Sequence, residues 1–222
     1  METTANNYIE VGGRICSDFT FSHEIYGEAF YRFDVEVPRL SGTGDVLPVT
    51  VSERIIQRTL MQVGAHVRVV GQIRSYNSYV EAEQRNKLVL TIFARDVDVL
   101  PEPCDPTPNE VFLNGYLCKP PVYRTTPFGR EIADLLVAVN RSYNKSDYIP
   151  SIVWGRNARF AGKLNVGDNV RVWGRMQSRT YVKRYDNGDA QEKIAYEVSV
   201  SKLEMATADT PDDMSDVGLD EE

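Results

Sequence analysis

The sequence is poor in the residues that usually carry chemistry. Its three cysteines, Cys16, Cys104 and Cys118, are too few and too scattered for a disulfide framework or a CxxC metal site, and are expected as reduced, half-buried thiols. Two histidines, His23 and His66, stand alone, expected at the surface or satisfied in loops rather than on a metal. No GxxxxGK[ST] phosphate loop, Ser/His/Asp set or Cys/His set is present. Carboxylates such as Asp186 and Asp189 sit in turn-forming stretches without a paired acid or base, so no catalytic residue, metal or cofactor is expected. Apolar runs are short, well under the roughly 18 residues that a membrane-spanning helix needs. The polar start, Met1 to Asn7, lacks the basic and apolar regions of a signal peptide, which points to the cytoplasm and away from a membrane.

Positive charge is also scarce overall, with a net −7, but its distribution matters more than its sum. Residues 1–103 carry 10 Lys+Arg against 14 Asp+Glu, residues 104–206 carry 15 against 11, and residues 207–222 carry none against 7. The acidity therefore sits in the tail and the first half, and the second half is basic.

What the chain does have is an internal repeat. At an offset of 102, Gly13 meets Gly115, Cys16 meets Cys118, Gly27 meets Gly129, Arg39 meets Arg141, Asp45 meets Asp147 and Pro48 meets Pro150. After a one-residue shift, Val67-Arg68-Val69 meets Val170-Arg171-Val172 and Gly71 meets Gly174. So many Gly, Pro and Val positions in one register mark a duplication. Between the copies, the alternating prolines of 101–108 cannot join a β-ladder and read as a semi-rigid spacer.

Each copy reads as β-rich. In the second, strands are expected at 111–118, 132–139, 149–154, 170–181 and 194–205, a small helix at 157–164, and a hairpin tip at Asp186-Asn-Gly188. Five strands with a helix after the third match the OB-fold, a partly open Greek-key barrel. The expected fold is all-β: two tandem OB-fold barrels, 1–100 and 109–206, each with one short helix, a linker at 101–108, and a disordered acidic tail at 207–222.

The second copy resembles the bacterial single-stranded DNA-binding protein family. Thr126-Pro-Phe-Gly129, Leu136-Val-Ala-Val-Asn-Arg141, Asp147-Tyr-Ile-Pro-Ser-Ile-Val-Trp-Gly155 and Gly174-Arg-Met-Gln-Ser-Arg-Thr-Tyr181 carry the resemblance. It implies non-catalytic binding of single-stranded DNA in replication, recombination or repair, with bases stacked on Tyr143, Tyr148, Trp154 and Tyr181. Stacking tolerates any sequence because every base has a π-face, and contributes roughly 1–3 kcal/mol per base. Arg141, Arg156, Arg175, Arg179, Lys183 and Arg184 lie on or beside the same segments as candidate phosphate contacts. Trp173, Tyr76 and Tyr79 are accessory candidates, Trp173 being out of phase with Val170 and Val172 and so expected to face outward.

A strand aromatic alone is more often packing, and basic residues alone more often a solvated face. Tyr143 and Tyr181, however, lie in polar, Arg-flanked stretches that packing does not readily explain. The first copy departs from the pattern, placing Ser41, Val46, Ser52 and Ser78 opposite the four aromatics, which suits assembly or a partner more than DNA. The tail keeps the family's acidity but ends Asp216-Val-Gly-Leu-Asp-Glu-Glu222 without an apolar tip, leaving recruitment of replication or repair proteins and simple solubilisation both open. Four barrels per assembly in the family imply a homodimer here. The competing function is a protein–protein assembly platform with little DNA affinity.

Overall fold

A computed structural model describes residues 6–39, 42–56, 60–81, 84–184 and 190–206. The first half forms β1 (Asn7–Ile15), β2 (Thr20–Ile25), β3 (Glu28–Pro38), β4 (Gly44–Ser52), β5 (His66–Val80) and β6 (Arg85–Leu100). The second forms β7 (Asn109–Leu117), β8 (Val122–Thr125), β9 (Glu131–Arg141), β10 (Lys145–Trp154), the helix α1 (Gly155–Ala161), β11 (Asn169–Arg184) and β12 (Ala190–Met205). Strand alternation builds the interiors: Leu135, Val137 and Val139 of β9 are buried, as are Ile149, Ser151 and Val153 of β10. Pairings β1–β3 and β7–β9 close the two halves into tandem OB barrels.

All twelve strands share one hydrogen-bonded sheet, in the order β2-β3-β4-β6-β5-β1-β7-β11-β12-β10-β9-β8. Adding six to each label turns the left half into the mirror of the right, so a pseudo-twofold axis passes between β1 and β7. The register locates it: Ile9 pairs with Val111, its own repeat mate. Close strand crossings explain why the repeat keeps Gly71 and Gly174, both at register shifts. A Cβ there would lie 2.2 Å from the Phe93 and Ser199 carbonyl oxygens, respectively, inside any tolerable contact.

Polar groups at the seam obey the same dyad. Asn7 clamps the backbone of Ile73 (2.8 and 2.9 Å), and Asn109 that of Met176 (2.9 and 2.9 Å). Asp45, fully buried in the first barrel, accepts the Ser178 N–H of the second (2.6 Å) and faces Arg39 and Arg175. Asp147, fully buried in the second, accepts the Ser75 N–H of the first (2.7 Å) and pairs with Arg74 (2.9 Å) and Arg141 (3.3 Å). Burial pushes the Asp45 carboxyl up, but the hydrogen bonds from Arg39 and Ser178 outweigh it and hold the group below its ordinary value.

Three expectations change. Each copy has six strands rather than five, because Val122–Thr125 and its mate Thr20–Ile25 form short outer strands on β9 and β3. Among the described residues only the second barrel has an α-helix. In the first, Ile55 N–H donates to the Ser52 carbonyl and Arg54 N–H to the Ser52 hydroxyl, so the chain makes a tight turn before the β-branched pair Ile55-Ile56, a poor helix start. Cys16 is exposed rather than half-buried, while Cys104 and Cys118 are half-buried. His23 is exposed at the surface, in line with expectation, and stacks on Phe30 at 4.9 Å; His66 is half-buried at the start of β5. Within 101–108, the Pro108 carbonyl accepts the Gly12 N–H (2.8 Å), which holds this segment against β1. The tail at 207–222, the tip at 186–188 and Ser41 lie outside the described residues.

Candidate nucleic-acid interface

The four rings singled out in the second barrel all reach its surface. Tyr143 is 94% exposed in the three-residue loop joining β9 and β10. There Tyr143 and Asn144 both have positive φ, 62° and 53°. Asn tolerates this region, but a tyrosine seldom adopts it, and such backbone outliers gather at functional sites. Tyr148 (44% exposed) and Trp154 (39%) alternate out of the barrel on the same face of β10, six residues apart and so about 20 Å along the strand. Trp154 also directly precedes α1, whose first turn carries exposed Arg156. Tyr181, half-buried, lies on the far half of β11 with the Arg179 guanidinium 5.8 Å from its ring centre.

A groove of about 930 Å³ links two of these regions. One wall is the second barrel's long β11–β12 hairpin, with Arg179, Tyr181 and Lys193. The other is the first barrel's β5–β6 hairpin, with Arg85 and Lys87, and Pro150, which sits between Tyr148 and Trp154 on β10, borders the groove. Its charged lining of Arg32, Arg85, Lys87, Arg124, Arg179 and Lys193 against Asp134, Glu192 and Glu197 is net basic. Of the four rings, Tyr181 lines this basic groove, Tyr148 and Trp154 lie two and four residues from its lining residue Pro150 on the same face of β10, and Tyr143 stands apart beside Arg141.

The candidate cations divide. Arg156 and Arg179 are exposed, although Arg179 also approaches Glu197 at 3.6 Å. Arg141 and Arg175 face the buried seam carboxylates Asp147 (3.3 Å) and Asp45 (3.7 Å), so part of each charge is already engaged. Lys183 is half-buried near the end of β11, where Arg184 follows. Trp173 is half-buried: its ring lies 5.2 Å from that of Phe112, and the Lys202 ammonium sits 4.4 Å over it. Tyr76 and Tyr79 are 50% and 60% exposed on the first barrel's β5. The sequence reading missed the contribution of the first barrel's hairpin, for which the only signal was the charge of Arg85 and Lys87 at 85–87.

Residues 108–206 match the model of the single-strand binding protein family. This barrel is thus similar to that family. Single-stranded DNA-binding protein 1 of Staphylococcus aureus is 40% identical over 80 residues, 33% of this chain and 48% of the relative. Single-stranded DNA-binding protein A of Bacillus subtilis is 33% identical over 103 residues, 43% and 58% of the two chains. The chain thus spans about half the length of the curated relatives it matches. The wild-type single-stranded DNA binding protein from Thermus aquaticus aligns over 92% of this chain and 95% of its own with a TM-score of 0.73, at 20% identity, a likeness of fold. The single-strand binding protein family match thus covers the barrel that carries the four rings, and the likeness of fold covers both barrels.

Proposed function

We propose that this chain binds single-stranded DNA without catalysis, in the cytoplasm, and protects it during replication, recombination or repair. Bases lie flat on Tyr143, Tyr148, Trp154 and Tyr181, and phosphates are met mainly by Arg156, Arg179, Lys183 and Arg184, with the seam residues Arg141 and Arg175 adding partial charge. The observation that carries this reading is that Tyr143, Tyr148 and Trp154 are exposed and Tyr181 half-buried on one barrel, beside cations, where a packing role would have sealed them. The first barrel (1–100) supplies the frame and the second (109–206) most of the stacking. Two barrels per chain make a homodimer the four-barrel assembly, and the acidic tail is the segment available to replication and repair proteins.

Titration with oligo-dT, repeated with duplex, tests it. Single strand should quench tryptophan fluorescence through Trp154, and duplex should quench little. Affinity should fall with salt at a log–log slope of about −0.7 per phosphate contacted. Silence toward oligo-dT would instead favour an assembly platform.

A further inference from the structure

Tyr143 lies in a second cleft, of about 850 Å³, that belongs to both barrels. Arg141 and Lys145 enter it from the second barrel, Arg74 and Arg95 from the first, and no carboxylate lines it. The nearest acid is Asp147, buried beneath and shared between Arg74 (2.9 Å) and Arg141 (3.3 Å). One carboxylate cannot neutralise two guanidiniums, and among the described residues Arg95 and Lys145, both exposed, have no ion-pair partner. The lining therefore keeps about three positive charges unmatched. Arg74 is fixed in place: its Nη2 donates to the Gln72 Oε1 (2.5 Å) and its guanidinium lies 5.9 Å from the Phe93 ring centre.

The pseudo-dyad supplies an internal control. Seam packing needs the Asp, its Arg and the Ser, and both sides have them. Arg74 has a counterpart across the dyad in Arg175, which approaches Asp45 at 3.7 Å, but Arg95 and Lys145 are one-sided: their mates are Ser201 and Thr43, as the strand registers Gly71–Ala94 and Gly174–Val200 require. The two further cations, Arg95 and Lys145, on the side that also presents an exposed, left-handed tyrosine are not explained by joining two barrels.

We propose that this cleft is a two-barrel phosphate clamp: the first barrel's Arg74 and Arg95, with Lys145, grip the backbone of the strand whose base stacks on Tyr143. The clamp rests on the single-stranded DNA reading above and extends it to residues of the other barrel.

The test is the salt dependence of oligo-dT binding by the full chain, for the parent, R95A/K145A and, as a remote control, Lys163→Ala. The double variant touches only exposed side chains and should flatten the log–log slope by about 1.4, two contacts at about 0.7 each, while quenching at saturation stays at the parental level. Lys163→Ala should leave the slope alone. A parent that binds while the double variant's slope is no flatter than that of Lys163→Ala overturns the clamp by itself. A parent that ignores oligo-dT overturns both the clamp and the reading beneath it.

Discussion

The two barrels agree inside and disagree outside. Leu47 and its mate Ile149 are both fully buried, and Asp45 and Asp147 both receive a serine N–H across the seam. Where the second barrel exposes Tyr148 and Trp154, the first has an exposed Val46 and a buried Ser52. The hairpin tips differ in the same sense: exposed Tyr26 is flanked by Glu24 and Glu28, exposed Phe128 by Arg124 and Arg130. After duplication, interior positions are held by packing and by the penalty on unpaired buried charge, whereas solvent-facing positions change with little effect on folding. Divergence thus collects on the outer faces, where the proposed stacking rings lie.

The sharpest way to break this contrast is to remove rings from each barrel in turn. Tyr143→Ala with Trp154→Ala should weaken oligo-dT binding by about 2–6 kcal/mol, two stacks at roughly 1–3 each. Tyr76→Ala with Tyr79→Ala should cost much less, and equal losses in a fluorescence titration would end the division of labour.

The seam should respond as one unit. Asp45→Ala leaves Arg39 facing a buried void and should destabilise the fold by about 3–5 kcal/mol in urea unfolding. Because Asp45's pKa is lowered by folding, its ionisation stabilises the native state above the unfolded value of 3.8 and ceases to do so as pH falls through the lower native value. The parent should therefore lose stability below about pH 4 more steeply than Asp45→Ala does; parallel pH profiles would remove the carboxylate from the account.

Core truncation probes the similarity rather than the difference. Leu47→Ala and Ile149→Ala should each cost about 2–5 kcal/mol, by similar amounts, since both side chains are sealed. A tolerant first barrel would show its core to be looser than the repeat implies. The smallest effect belongs to Arg156→Ala, which should flatten the salt slope by about 0.7 with no change in melting temperature.

Most of the fold was legible in the chain because its signals are local or periodic. Alternating Leu135, Val137 and Val139 mark a strand, and glycines recurring at 71 and 174 mark a constraint that two copies share. The short outer strand Val122–Thr125 was not legible: all four residues are exposed, so no burial pattern writes it. The lack of a helix among the described residues of the first barrel was hidden for a related reason, since Ser52's hydroxyl contacts set the turn and its partner Glu28 is 24 residues away.

The four rings could be picked out from sequence because aromatic residues among arginines are chemically conspicuous. The exposure of three of them, and the placing of Tyr181 in a groove walled by both hairpins and of Tyr143 in a cleft shared by both barrels, needed coordinates. Sequence alone determined that this is a duplicated β-barrel protein with aromatics and basic charge concentrated in its second copy, because composition and period are properties of neighbours along the chain. Only the tertiary structure decided that Arg141 and Arg175 are tied to buried carboxylates and that Arg74 and Arg95 of the other barrel stand beside Tyr143. Arg141 and Asp147 are six positions apart across one hairpin, but the other relations join residues from 48 to 130 positions apart in different barrels, which the β1–β7 pairing sets side by side.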